Sequence, residues 1–298
     1  MCGIAGLFIK GTRLQPRLGE LLASMTSTLC SRGPDSAGFA LYTDGTPEKA
    51  KLTLTSVEGR SDFEALGVML SRSIGAPLSV TSRYTHAVVT VPTDLVRLCR
   101  DWLFENAHDV RILSEGFNLE IYKEVGYPDD VARSFDIASL SGTHGIAHTR
   151  MATESAVTTT GAHPFSTGPD QCLVHNGSLS NHASLRRELK RDGIAPATEN
   201  DTEVAAGYLT RELKRGRTLG EALKSSVDDL DGFFTFVVGT KNGFGVLRDP
   251  IACKPAVMAE TDDYVAFASE YRSLTSLPGI KSAQVFEPKP ATAYFWEH

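Results

Sequence analysis

Strands and helices are grouped along this chain instead of alternating. Toward the end, Phe233–Gly239, Phe244–Arg248 and Tyr264–Ala268 are apolar runs at the spacing of an antiparallel meander. Just before them come three helical patterns: about Ser184–Lys190, a stretch from Asn200-Asp201 carrying Val204, Ala205, Tyr208 and Leu209, and Leu219–Leu230. Cys2–Ile9, Gly38–Tyr42 and Lys51–Val57 read as strands, and Gly145–His148 and Cys172–His175 as strands ending in polar turns. Arg17–Cys30 places Leu18, Leu21, Leu22, Met25 and Leu29 at helical spacing. The grouping predicts a layered α+β fold, not a parallel sheet with alternating helices.

The pattern changes between about Ser61 and Ser139. Phe63, Leu66, Met69, Leu70 and Ile74 form one helical stripe, and Leu95, Leu98, Cys99, Trp102 and Leu103 form another. Strand-like runs lie at Ala87–Val91, Val110–Leu113 and Leu119–Val125. This predicts an inserted α/β subdomain over about 59–140 within a domain spanning 1–298. A chain of 298 residues is long enough for one large domain with such an insertion.

Thirty basic against 36 acidic residues leave a net charge of −6, which argues against a dedicated nucleic-acid binder. The 41% hydrophobic content excludes a disordered chain. No apolar run approaches the ~20 residues of a membrane span. The opening run lacks a basic leader and reads as a first strand, not a signal peptide. Five scattered cysteines with no CxxC pair suggest neither a zinc knuckle nor a disulfide framework, so a reduced, cytoplasmic protein is expected. The basic stretches Arg186–Arg191 and Arg211–Arg217 read as solvated helix faces.

Cys2 follows the initiator methionine. Once Met1 is removed, one residue carries both a thiol and a free α-amine, a base with a pKa near ~8. A nucleophile beside its own base is a known activation scheme. Alone, Cys2 reads more readily as a small residue starting a buried strand. Further along, Gly145–Arg150 brings an arginine to a strand end, Leu173–Gly177 leads into Asn176-Gly177, and Glu199–Glu203 opens a helix.

Taken together, Cys2-Gly3-Ile4, Arg32–Gly38, Ala147–Arg150, Ala162-His163-Pro164, Val174–Gly177 and Asn200–Glu203 resemble, in order and approximate spacing, the class II glutamine amidotransferases. These are N-terminal-nucleophile hydrolases, so the resemblance implies a four-layer αββα fold. It covers about 1–58 and 140–275. It implies that the Cys2 thiolate attacks the glutamine amide and passes through a γ-glutamyl thioester. Asn176 and the Gly177 backbone N–H are then the oxyanion donors. The alternative for Asn-Gly is a type I′ hairpin turn.

Glutamine is a zwitterion. Arg150 suits its carboxylate, and Asp201 suits its ammonium, although Asp201 could equally cap its helix. Thr153 is expected to neighbour the substrate carboxylate. His163 belongs to a block the resemblance puts at the site. Arg32 either orients the chain terminus or a substrate oxygen, or is structural. His148, His163 and His175 lack metal-site spacing and are expected to be structural histidines, with no metal. Met151 departs from the family, in which many members carry an aromatic residue after the arginine.

No cofactor is expected in this chain, and the residues after the last matched strand are too few for an ammonia-accepting domain. The ammonia is therefore expected to go to a separate partner synthase, the alternative being a free glutaminase, which would waste the donor. The size resembles the amidotransferase subunits of split glutamate-synthase-like systems, including N-methylglutamate synthase, whose partners carry a flavin domain. The competing readings are a non-catalytic glutamine-binding or regulatory subunit, and another N-terminal-nucleophile hydrolase, which the Arg150/Asp201 pair disfavours.

Overall fold

The structure is a computed structural model that describes residues 2–57, 61–152 and 156–298. The first half contains β1 (Gly3–Ile9), α1 (Leu18–Ser27), β2 (Ser36–Tyr42), β3 (Lys49–Ser56), α2 (Phe63–Ile74), β4 (Ser79–Arg83), β5 (His86–Pro92), α3 (Val96–Asn106), β6 (Val110–Gly116), β7 (Leu119–Val125), α4 (Pro128–Ser134) and β8 (His144–Arg150). The second half continues with β9 (Phe165–Gly168), β10 (Gln171–Leu179), α5 (His182–Arg191), α6 (Asp201–Lys214), α7 (Leu219–Asp229), β11 (Gly232–Gly239), β12 (Gly243–Arg248), β13 (Val257–Glu260), β14 (Tyr264–Ala268), β15 (Gln284–Phe286) and β16 (Ala293–Glu297).

Two sheets form the body. The first has the order β15-β13-β14-β1-β8-β2-β7 and the second β16-β12-β11-β10-β9. Their strand pairs are antiparallel. Side chains alternate faces along a strand, so the apolar β1 serves two cores at once. Ile4 and Phe8 pack between the sheets with Val174, Val237, Phe244 and Val246. Ala5, Leu7 and Ile9 face the other way, onto Leu18, Leu21, Leu22 and Met25 of α1. On the far side, Leu173, Phe234, Phe236 and Val238 meet Leu185 and Leu189 of α5, Leu209 of α6 and Leu223 of α7. The result is helices, sheet, sheet, helices: the four-layer αββα arrangement of N-terminal-nucleophile hydrolases. No described helix is long and apolar enough to cross a membrane.

A separate sheet, β4-β5-β3-β6, carries α2 and α3 around a core of Leu52, Leu54, Leu66, Leu70, Val89 and Cys99. Its boundaries differ from the expected 59–140. β3 belongs to this inserted sheet, because Leu52 and Leu54 fill its core. β7 belongs to the body, pairing with β2 from Ser36↔Val125 to Tyr42↔Leu119. The segment after β7 also belongs to the body, as Val131 and Phe135 pack in the α1 core. The insertion therefore lies between Tyr42 and Leu119. An apolar strand run does not say which sheet it joins, and that ambiguity displaced both limits.

Candidate active site

Cys2 immediately precedes β1, which lies between β14 and β8 in the first sheet. Pairing of Gly3 with Thr149 brings the start of the chain to the end of β8. The Cys2 Sγ lies 3.9 Å from the Met151 carbonyl oxygen. The Cys2 carbonyl oxygen accepts two hydrogen bonds, from Asn176 Nδ2 at 3.0 Å and from Arg32 Nε at 3.0 Å. Arg32 also pairs with Glu270 at 2.7 Å. Arg32 thus contacts the start of the chain from the loop after α1.

Asn176 and Gly177 lie within β10, opposite Thr235 and Phe234 of β11. The expected hairpin turn at this dipeptide is absent, because the strand continues to Leu179. The ladder with β11 overrides the local turn preference. Gly177 keeps a special backbone, with φ +148°, and a Cβ there would stand 1.9 Å from the Phe233 carbonyl oxygen. Only glycine fits.

Arg150 ends β8, is 7% exposed and donates to the Ala156 carbonyl at 3.3 Å. Asp201 opens α6, but the cap of that helix is Asn200, whose side chain accepts from Thr202 N–H at 2.9 Å. The Asp201 carboxylate is held elsewhere. It accepts from Leu179 N–H at 2.9 Å and lies 3.6 Å from His175 Nδ1. Burial alone would raise its pKa, but His175 and the Leu179 N–H outweigh it and keep the group below the usual aspartate range. An anion is therefore maintained at this point.

The three histidines meet behind these groups. The rings of His148 and His163 stack at 4.0 Å. His163 Nδ1 accepts from His175 N–H at 3.5 Å, and its Nε2 lies 3.2 Å from Thr202 Oγ1. His175 Nδ1 lies 3.1 Å from the same hydroxyl. Burial pushes His148 down to about 3 and His163 well below its ordinary value, so both are neutral. Both ring nitrogens of His163 are engaged by the protein, and the residue lines the cavity described below. No group of three potential ligands among the described residues is placed to hold a metal ion. Thr153 lies outside the described residues.

Cys2, Arg150, Asn176, Gly177 and Asp201 all line one cavity of about 920 Å³. Its wall also includes Thr158, Thr160, Gly161, His163 and Lys254. The segment 158–161 and Lys254 were not singled out in the sequence. Their only signal is a run of small polar residues just ahead of His163-Pro164. Chemically, the cavity offers a thiol, amide donors, a guanidinium and a fixed carboxylate to one bound molecule.

Comparison with known proteins agrees with this geometry. A glutamine amidotransferase domain profile matches residues 148–276, which include Arg150, Asn176, Gly177 and Asp201. The glutamine amidotransferase-like protein GlxB of Rhizobium meliloti (strain 1021) is 61% identical over 298 residues, covering 100% of this chain and 99% of that protein. The amidophosphoribosyltransferase of Methanocaldococcus jannaschii is 31% identical over 55% of this chain and 36% of its own length. The solved structure of the glutamine phosphoribosylpyrophosphate amidotransferase of B. subtilis shares the fold, with a TM-score of 0.61 at 18% identity, over 99% of this chain and 49% of that one. The full-length identity, seated on a cavity that unites the second residue with Arg150, Asn176-Gly177 and Asp201, establishes that this chain belongs to the class II glutamine amidotransferases.

Proposed function

We propose that the chain is a glutaminase subunit that feeds ammonia to a separate synthase. Removal of Met1 frees the α-amine of Cys2. That amine takes the thiol proton, and the thiolate attacks the glutamine side-chain amide carbon. The second N–H of Asn176 and the Gly177 N–H stabilise the oxyanion. Collapse breaks the C–N bond, the amine returns its proton to the leaving nitrogen, and ammonia departs. Water, deprotonated by the same amine, then splits the γ-glutamyl thioester. Glutamate leaves and the thiol recovers its proton. Arg150 holds the α-carboxylate and Asp201 the α-ammonium. The steps use the chain's own groups and water alone, so the chain needs no cofactor of its own. Thr153 is a further neighbour of the substrate carboxylate in this reading.

The observation that carries the reading is the opening of Cys2 onto the same cavity as the cation, the anion and the amide donors. The acceptor is a synthase of the flavin-dependent, glutamate-synthase-like kind, in a reducing cytoplasmic setting that keeps the thiol free. The inserted subdomain supports a partner, because α2 and α3 leave Val68, Met69, Leu98 and Phe104 exposed. The test is ammonia release from L-glutamine by protein whose N-terminus has been read by mass spectrometry. Cys2→Ala should abolish release. Release by that variant at the wild-type rate overturns the mechanism.

A further inference from the structure

Lys123 lies in β7, an edge strand of the first body sheet, and is 3% exposed. Its ammonium donates to three carbonyl oxygens of one short segment: Ala162 at 2.7 Å, Pro164 at 3.0 Å and Thr160 at 3.2 Å. It also lies 4.4 Å from the Phe165 ring centroid. An ammonium has three N–H donors and no acceptor, so its whole capacity is spent on residues 160–164. Burying a charge this deeply is costly unless such contacts offset it. An apolar side chain would fill the space without that cost, but it would leave three carbonyls unheld.

Those carbonyls belong to the segment that walls the glutamine cavity through Thr160, Gly161 and His163. Two further contacts fix it on the sheet. Glu124, next to Lys123, accepts from the Thr159 hydroxyl. Gly38 of β2 faces the segment so closely that a Cβ would stand 2.1 Å from the His163 carbonyl oxygen. Glu124 also accepts from the Thr85 hydroxyl of the inserted subdomain at 2.8 Å.

We propose that Lys123 is a positioning residue for the glutamine pocket: its ammonium gathers the carbonyls of Thr160, Ala162 and Pro164 and so sets the wall against which the substrate is held. The proposal rests on the glutaminase reading and adds a residue that touches neither the substrate nor the thiol.

The test compares Lys123→Met and Lys123→Gln with the matured wild type. In Lys123→Met the KM for glutamine should rise about tenfold or more while kcat changes little, because ground-state positioning is lost while the nucleophile is intact. Alkylation of Cys2 by iodoacetamide, which needs no pocket, should keep its wild-type rate. Alkylation by 6-diazo-5-oxo-L-norleucine, which is shaped like glutamine, should slow in proportion to the change in kcat/KM. Lys123→Gln, with fewer donors, should fall between the two. It decides the question if the methionine variant does not fold. An unchanged KM in either folded variant overturns the proposal, as does equal slowing of both reagents, which would mean a general loss of structure. A wild type that neither hydrolyses glutamine nor reacts with the diazo reagent overturns the glutaminase reading itself, and the positioning role with it.

Discussion

Asn176 Nδ2 and Arg32 Nε donate to the same oxygen, the backbone carbonyl of Cys2, each at 3.0 Å. The nucleophile is thereby fixed by the opposite sheet and by the loop after α1 before any substrate arrives. One of the two Asn176 amide protons is consumed in this way, which leaves the other for the oxyanion of the proposed mechanism. Asn176→Ala should therefore lower kcat about 10²–10³-fold with a smaller effect on KM. Steady-state glutaminase assays check this, and a kcat within tenfold of wild type would remove Asn176 from the oxyanion site.

In the proposed mechanism Arg150 and Asp201 act on the ends of the substrate that do not react. Losing either should appear in KM more than in kcat, because their contacts exist before and during reaction. Arg150→Lys keeps the charge but not the paired donors of a guanidinium. Its KM should rise about tenfold. If kcat alone falls, Arg150 belongs to the chemistry and not to carboxylate binding.

Stability should decline in mild acid. Burial lowers His86, His144 and His148 from 6.5 to about 3, and His163 well below its ordinary value. Between those limits the unfolded chain binds protons that the folded chain refuses, so folding stability falls as pH drops below 6.5 and is unaffected by these groups above it. Each contributes a slope of up to about 1.4 kcal/mol per pH unit. The urea midpoint should therefore drop between about pH 6.5 and about pH 5. His144→Gln should give a shallower slope, because His144 is one of these groups. Burial also pulls Lys123 down to about 7; its contribution rises with pH above that value and does not enter the acid window. A flat midpoint from neutral to pH 5 would mean that the histidines protonate in place.

The apolar periodicities that define α1, α6, α7 and the β11-β12 hairpin were legible because they are local. The same holds for the blocks around Cys2, Arg150, Asn176 and Asp201, whose side chains do converge on one cavity. Pairing was not legible. Tyr264–Ala268, expected in one meander with β11 and β12, pairs with β1 and β13 in the other sheet. The run at Lys49–Ser56 looks like a body strand, yet it pairs with β5 and β6 of the inserted sheet. Ser79–Arg83 is a polar edge strand with no apolar alternation to mark it. Asn176-Gly177 has the dipeptide of a hairpin turn, and only its ladder with β11 shows otherwise. Lys123 reads as an ordinary charge near the end of an edge strand. Nothing within Leu119–Val125 signals that a segment some 40 residues later wraps around it.

Gly38 offers an independent way to move that segment. It pairs with His148 of β8 and Lys123 of β7. A methyl group there would meet the His163 carbonyl oxygen at 2.1 Å and the Lys123 Cβ at 2.6 Å. Neither is the tip of a flexible side chain, so relief must come from shifting the 160–164 backbone outward or parting β2 from β7. Gly38→Ala should therefore cost about 1–3 kcal/mol in urea denaturation. It should also raise the KM for glutamine as Lys123→Met does, with iodoacetamide alkylation of Cys2 unchanged. Gly11→Ala is the control, because a Cβ there meets nothing within 4 Å. It should stay within about 0.5 kcal/mol of wild type. If Gly38→Ala is destabilised and yet binds glutamine normally, the wall can move without consequence for the substrate, and the close fit of Gly38, His163 and Lys123 serves folding alone.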